Sequence, residues 1–139
     1  MLMNTKNDFV EVLFLCPHGA AKSVIAAMLF NDLAVRRGQR AHAHNAGTHP
    51  DARFAPQALV MLSVAGIAPP VGVPQHVSAK MIVDAEWVIS IGCELGDLPG
   101  VPATLIEWQG VPAVSEAPMA AYDALRERVT TLLDTIARS

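Results

Sequence analysis

At 139 residues the chain is long enough for one hydrophobic core, so a single domain over residues 1–139 is expected. Just over half of the residues are apolar and under a fifth are charged, which separates the chain from the composition of disordered segments. The formal net charge of -3 comes from interspersed acids and bases, so no basic field exists to hold nucleic acid or an anionic membrane, and neither is expected as a partner.

No apolar run approaches the roughly 20 residues of a spanning helix. The polar N-terminus from Met1 to Asp8 lacks a signal-peptide core, so a cytoplasmic protein is expected. In that compartment the two cysteines, Cys16 and Cys93, are expected as free thiols.

Phe9 to Leu15 is a run of Val, Phe and Leu that reads as a strand buried on both faces and stops at Cys16-Pro17. From Ser23, which serves as a capping residue in this reading, Ile25, Met28, Leu29 and Leu33 recur at helical spacing until Gly38 stops the helix. Arg40 to Ala46 alternates loosely and ends at Gly47, as a second strand would, with His42 and His44 on one face. Pro56 opens a second helix, through Ala58, Leu59, Met61 and Leu62, that closes at Gly66. A loop rich in proline and glycine follows to Pro74, and Ser78 opens a short helix through Asp84.

Trp87 to Ile91 reads as a buried strand ending at Gly92-Cys93, and Ala103 to Trp108 as the last strand. Met119, Tyr122, Leu125, Val129, Leu132, Leu133 and Ile136 then fall on one stripe of a C-terminal amphipathic helix. Strands alternating with helices imply an α/β domain, a parallel sheet flanked on both faces with right-handed crossovers.

The chemistry concentrates in Cys16-Pro17-His18-Gly19-Ala20-Ala21-Lys22-Ser23. A strand running into Cys-x5-Lys-Ser and then a helix gathers backbone N–H groups at a helix N-terminus, where unpaired donors and the helix dipole favour an anion. The thiolate is the nucleophilic form of cysteine, and Ser23 can donate its hydroxyl to the sulfur. Lys22 would neutralise a bound oxyanion as a point charge, while Gly19, Ala20 and Ala21 leave room for the backbone to wrap it.

These residues resemble the low-molecular-weight protein tyrosine phosphatase superfamily, which includes thiol-dependent arsenate reductases and whose signature is strand, Cys-x5-Arg-Ser, helix. Ala46-Gly47-Thr48-His49-Pro50, the helix closed by Gly66-Ile67, and Asp84-Ala85-Glu86-Trp87-Val88-Ile89 look like the family's later landmarks, so that the resemblance spans roughly residues 10 to 137. It implies a four-stranded parallel sheet in the order 2-1-3-4, with the anion at the carboxyl end of strand one. It further implies Cys16 as nucleophile, Ser23 as thiolate stabiliser, and Lys22 with the loop at His18, Gly19, Ala20 and Ala21 as the oxyanion site. The ligands would be phosphate, arsenate or a phosphorylated substrate, with no metal or organic cofactor.

Several residues depart from the family pattern. Lys22 stands where the family has arginine, Pro17 has no N–H to offer an oxyanion, and His18-Gly19 replaces the usual Gly-Asn. The family's general-acid Asp corresponds to Val111-Pro112-Ala113-Val114, where no carboxylate stands, leaving Glu116, Asp97 or His18 as substitutes.

Two readings of Cys93 stay open: a resolving thiol, as in some arsenate reductases, recycled by a small thiol or an external partner, or a small residue closing a strand. A non-catalytic phosphate-binding or phospho-partner module is the rival to an enzyme. His42 and His44 could bind metal, but the sequence places no third ligand, so no metal site is assigned. His49 and His76 are explained by turn chemistry, and Trp87 and Trp108 by the core.

Overall fold

The computed structural model describes residues 9–139; the polar stretch from Met1 to Asp8, on which the expectation about a signal peptide rests, lies outside the described residues. Strand β1 (Val10–Cys16) is followed by α1 (Lys22–Arg36), β2 (Ala41–Gly47), α2 (Pro56–Val64), α3 (Ala79–Asp84), β3 (Trp87–Ser90), β4 (Leu105–Glu107) and α4 (Pro118–Ala137). All strand pairs are parallel, and the sheet order is β2-β1-β3-β4, the order that the family resemblance implies.

β1 is central, so successive side chains enter two separate apolar layers. Val12, Phe14 and Cys16 face a core built with α1, α2 and α4, including Phe30, Leu62, Leu125 and Leu133. Leu13 and Leu15 face the other way, where α3 covers them with Ile82 beside Val88. Phe14 also packs against Phe30 and Trp108, with ring centroids 5.8 and 5.5 Å apart. Burying each such large side chain contributes about 1.5–3 kcal/mol, which makes the β1–α1 unit the best-anchored part of the sheet.

Three local expectations need correction. Ser23 does not cap α1: the helix starts one residue earlier with Ala21 at the cap position, and the Ser23 hydroxyl is turned to Cys16 instead. Ser78 does cap α3, accepting from the Met81 amide at 3.2 Å. Met119 is 62% exposed, because α4 meets the core only from Ala121 onward. The last strand pairs over Leu105–Glu107 rather than Ala103–Trp108, although Trp108 still donates to the Ser90 carbonyl at 2.8 Å. Among the described residues, no helix is long and apolar enough to cross a membrane.

Candidate active site

β1 delivers Cys16 to the carboxyl edge of the sheet as its last residue, and Pro17 to Ala21 then turn the chain into α1. The turn depends on two glycines. Gly19 has φ +59, and a Cβ there would lie 2.8 Å from the Gly47 nitrogen. A Cβ on Gly47 would in turn lie 2.7 Å from the Gly19 nitrogen and 2.8 Å from the Pro17 carbonyl oxygen. The loop therefore rests backbone to backbone on the end of β2, an approach that a side chain at either position forbids.

The segment after β2 fixes the loop's carbonyls. His49 N–H donates to Pro17 O at 2.7 Å, Asp51 N–H to His18 O at 3.0 Å, and Ala55 N–H to Ala20 O at 2.9 Å. The first bond of α1 runs from Ile25 N–H to Ala21 O at 2.9 Å, so the amides of Lys22, Ser23 and Val24 precede it at the positive end of the helix. The Gly19 N–H donates within the turn to Cys16 O at 3.3 Å.

Cys16 Sγ lies 3.0 Å from Ser23 Oγ, and both residues are buried. Cys16 lines a cleft of about 340 Å³ together with His18, Ala20, Ala21, Lys22 and Asp51, and with apolar walls from Ala55, Ile91 and Val114. Among the described residues no carboxylate forms an ion pair with Lys22, which leaves the ammonium for a ligand's negative charge.

The far wall is formed by Ala113, Val114 and Ser115, the first two of which end the stretch Val111–Val114 matched by sequence to the missing acid, and it brings no carboxylate to the cleft. Of the substitutes, Asp97 is paired with His49 at 3.0 Å, and neither Asp97 nor Glu116 lines the cleft. His18 does, and its Nδ1 lies 3.2 Å from Asp51 Oδ1. Asp51 is a site residue that sequence reasoning missed. It belongs to an irregular turn after Pro50, and only the docking of that turn on the Cys16 loop brings it to the cleft.

Cys93 is a free, half-buried thiol beside this cleft but outside its lining. It packs with Leu13 and Leu15 on the sheet face opposite to that of Cys16. Its amide donates to Ser90 Oγ at 3.3 Å. Burial pushes the Cys93 thiol pKa up; hydrogen bonds with Ser90 and Thr48 oppose this, and negative charge at Cys16 and Asp97 adds to it. The structure thus gathers Cys16, His18, Ala20, Ala21 and Lys22 around one cleft, with Ser23 buried beneath Cys16 and Cys93 outside the lining.

Solved structures with the same architecture include a thioredoxin-dependent arsenate reductase from Corynebacterium glutamicum (25% identity, TM-score 0.79), which covers 94% of this chain. The match takes in 63% of that protein, so the present chain spans under two thirds of its length. YfkJ from Bacillus subtilis is 19% identical at a TM-score of 0.84, covering 96% of this chain and 98% of that one. A low molecular weight protein tyrosine phosphatase from T. tengcongensis is 19% identical at a TM-score of 0.74, with 93% and 98% covered. No curated protein sequence gives a significant match. The family model of the low molecular weight phosphotyrosine protein phosphatases matches residues 11–95, which hold the strand, the Cys16 loop, α1 and the Gly47 turn that supports the loop. With more than half of its length matched and the sheet order in agreement, the chain belongs to the low molecular weight phosphotyrosine protein phosphatase family.

Proposed function

We propose that the protein is a cysteine-dependent enzyme acting on tetrahedral oxyanions, with aryl phosphates as its substrates. The observation that carries this reading is the buried Cys16–Ser23 pair at 3.0 Å, set at the start of α1 in a cleft that also holds Lys22. The Ser23 hydroxyl donates to the sulfur anion, while the Lys22 ammonium and the first amides of α1 hold the phosphoryl oxygens. The apolar walls at Ala55, Ile91 and Val114 suit an aromatic leaving group.

In the first step the Cys16 thiolate forms an S–P bond as the P–O bond to the aryl group breaks. The phenolate leaves with that bond's electron pair and takes a proton from His18, which Asp51 orients at 3.2 Å. Water then attacks phosphorus and gives a proton back to His18 as the S–P bond breaks, and inorganic phosphate and the thiolate are released. These steps need no metal or organic cofactor, and a thiol nucleophile of this kind belongs in a reducing compartment such as the cytoplasm.

Arsenate reduction is a second reading, favoured by the free thiol of Cys93 just beyond the end of β3, the strand paired with β1, at the same end of the sheet as Cys16. Cys16 would attack arsenate with loss of water, and the Cys93 thiolate would then attack the Cys16 sulfur. The new S–S bond leaves two electrons on arsenic, which departs as arsenite; an external thiol reductant restores both cysteines.

The test is incubation with an activated aryl phosphate, with mass spectrometry of the quenched protein and a parallel titration of phosphate. Product release with a phosphorylated Cys16 is expected. Saturable phosphate binding with no turnover dependent on Cys16 would replace the enzyme with a binding module. Cys93→Ser should abolish thiol-dependent arsenate turnover and spare aryl phosphate hydrolysis; equal loss of both removes the second reading.

A further inference from the structure

On the sheet face opposite to that of Cys16, β1 and β2 bring three potential metal ligands together. Their parallel register places Glu11 across from His42 and Leu13 across from His44, so the two histidines project from one face of β2 beside the carboxylate. Glu11 Oε1 lies 3.2 Å from His44 Nε2 and 3.8 Å from His42 Nδ1. The two imidazoles stand edge to face with centroids 4.6 Å apart, and one ligand atom from each of the three residues falls within a 4.8 Å span.

Ligand atoms held at about 2.0–2.1 Å from a tetrahedral zinc ion lie roughly 3.4 Å from one another, close to the two separations from Glu11. Small side-chain rotations would close the remaining gap. The side chains are free to make them, being 35% exposed at Glu11 on the central strand β1 and 48% and 61% exposed at His42 and His44 on the edge strand β2. The backbone positions, by contrast, are fixed by the strand ladder, so little ordering is left for binding to impose.

The geometry points to a divalent transition-metal site of the zinc class at Glu11, His42 and His44, with its fourth position open to solvent. Two imidazole nitrogens and one carboxylate oxygen suit zinc, copper(II) or nickel(II), whereas magnesium and calcium require oxygen ligands. Lys80 and Asp84 line the same groove but neutralise each other at 2.6 Å. Glu11 precedes Cys16 by five residues of β1, about 16 Å along the strand, so the site is separate from the cleft and its occupancy does not depend on the proposed reaction. A bound ion would clamp the edge strand β2 to the central strand β1.

Thiols also bind these metals, so the test uses the full chain carrying Cys16→Ser and Cys93→Ser. Calorimetric titration with zinc should show one equivalent per chain. Adding His42→Ala or His44→Ala should weaken uptake by on the order of tenfold or more, with Glu11→Gln also weakening it. Zinc should raise Tm in the parent and not in the histidine variants. As a control that needs no further substitution, the ring resonances of His42 and His44 should shift on zinc addition while those of His76 do not. Absence of saturable uptake, or uptake undiminished in both histidine variants, overturns the assignment.

Discussion

The floor of the cleft, from Cys16 to Ser23, holds a thiol, a cation and a helix N-terminus within one turn of chain, whereas the far wall at Ala113–Ser115 presents two apolar residues and a hydroxyl. The family match covers the floor and ends at residue 95, short of that wall. Under the proposed function the floor would serve the binding and attack of an anion, and the wall the departure of a leaving group. The contrast teaches that these two demands are separable in the fold, because each is met by a different and distant stretch of sequence.

The largest expected effect comes from breaking the floor. Cys16→Ser should lower turnover of an activated aryl phosphate by on the order of 10⁴-fold or more while phosphate still binds, as a paired steady-state assay and calorimetric titration would show. Turnover that survives the substitution would place the nucleophile elsewhere.

Restoring the wall should have the next largest effect. Ala113→Asp sets a carboxylic acid in the cleft wall, within the stretch that the sequence matches to the family's acid, and should raise turnover of phosphates with poor leaving groups by about 10²-fold. Activated aryl phosphates should respond little. A series of substrates of graded leaving-group pKa checks this through the flattening of its rate dependence; an unchanged slope would mean that His18 already supplies the proton.

Gly47→Ala tests whether the floor depends on its support from β2. Its Cβ would press on Gly19 and Pro17 at 2.7 and 2.8 Å, and the backbone there has no flexible side chain to yield. A loss of about 1–3 kcal/mol of stability is expected in denaturant unfolding, with weaker phosphate binding in the folded fraction. Unchanged binding would show that the loop holds its shape without that contact.

The smallest effect concerns Cys93. Burial keeps its proton on, so in Cys16→Ser protein its alkylation should be slow at neutral pH and accelerate only above the ordinary thiol range. The sign for stability follows. Over that range the unfolded chain gives up the Cys93 proton first and binds fewer protons than the folded one, so this group's contribution to stability falls as pH rises. A rate already at its plateau at neutral pH would show an exposed thiolate ready to attack Cys16.

The sequence alone determined the β1–loop–α1 unit and the character of its candidate site. An apolar run, a cysteine, a glycine, Lys-Ser and a helical apolar repeat follow one another directly, and the physics of a helix N-terminus is local to that stretch. Strand alternation also made the parallel sheet legible, and the family resemblance implied its 2-1-3-4 order, in agreement with the structure. The cap of α1 was misread because the Ser23 hydroxyl could serve either the helix or the sulfur, and only packing against Cys16 chose between them.

Tertiary structure alone decided whatever depends on register between distant segments. The paired glycines Gly19 and Gly47, the His18–Asp51 contact and the Glu11–His42–His44 cluster each join residues about 28 to 33 positions apart, fixed by the parallel alignment of β1 with β2 and by the turn after it. A slip of one residue in that alignment would turn His42 and His44 to the opposite face. Hydrophobic periodicity marks which residues face inward along one strand, but it carries no information on which residue of the neighbouring strand lies alongside; that is fixed only when both strands share a core.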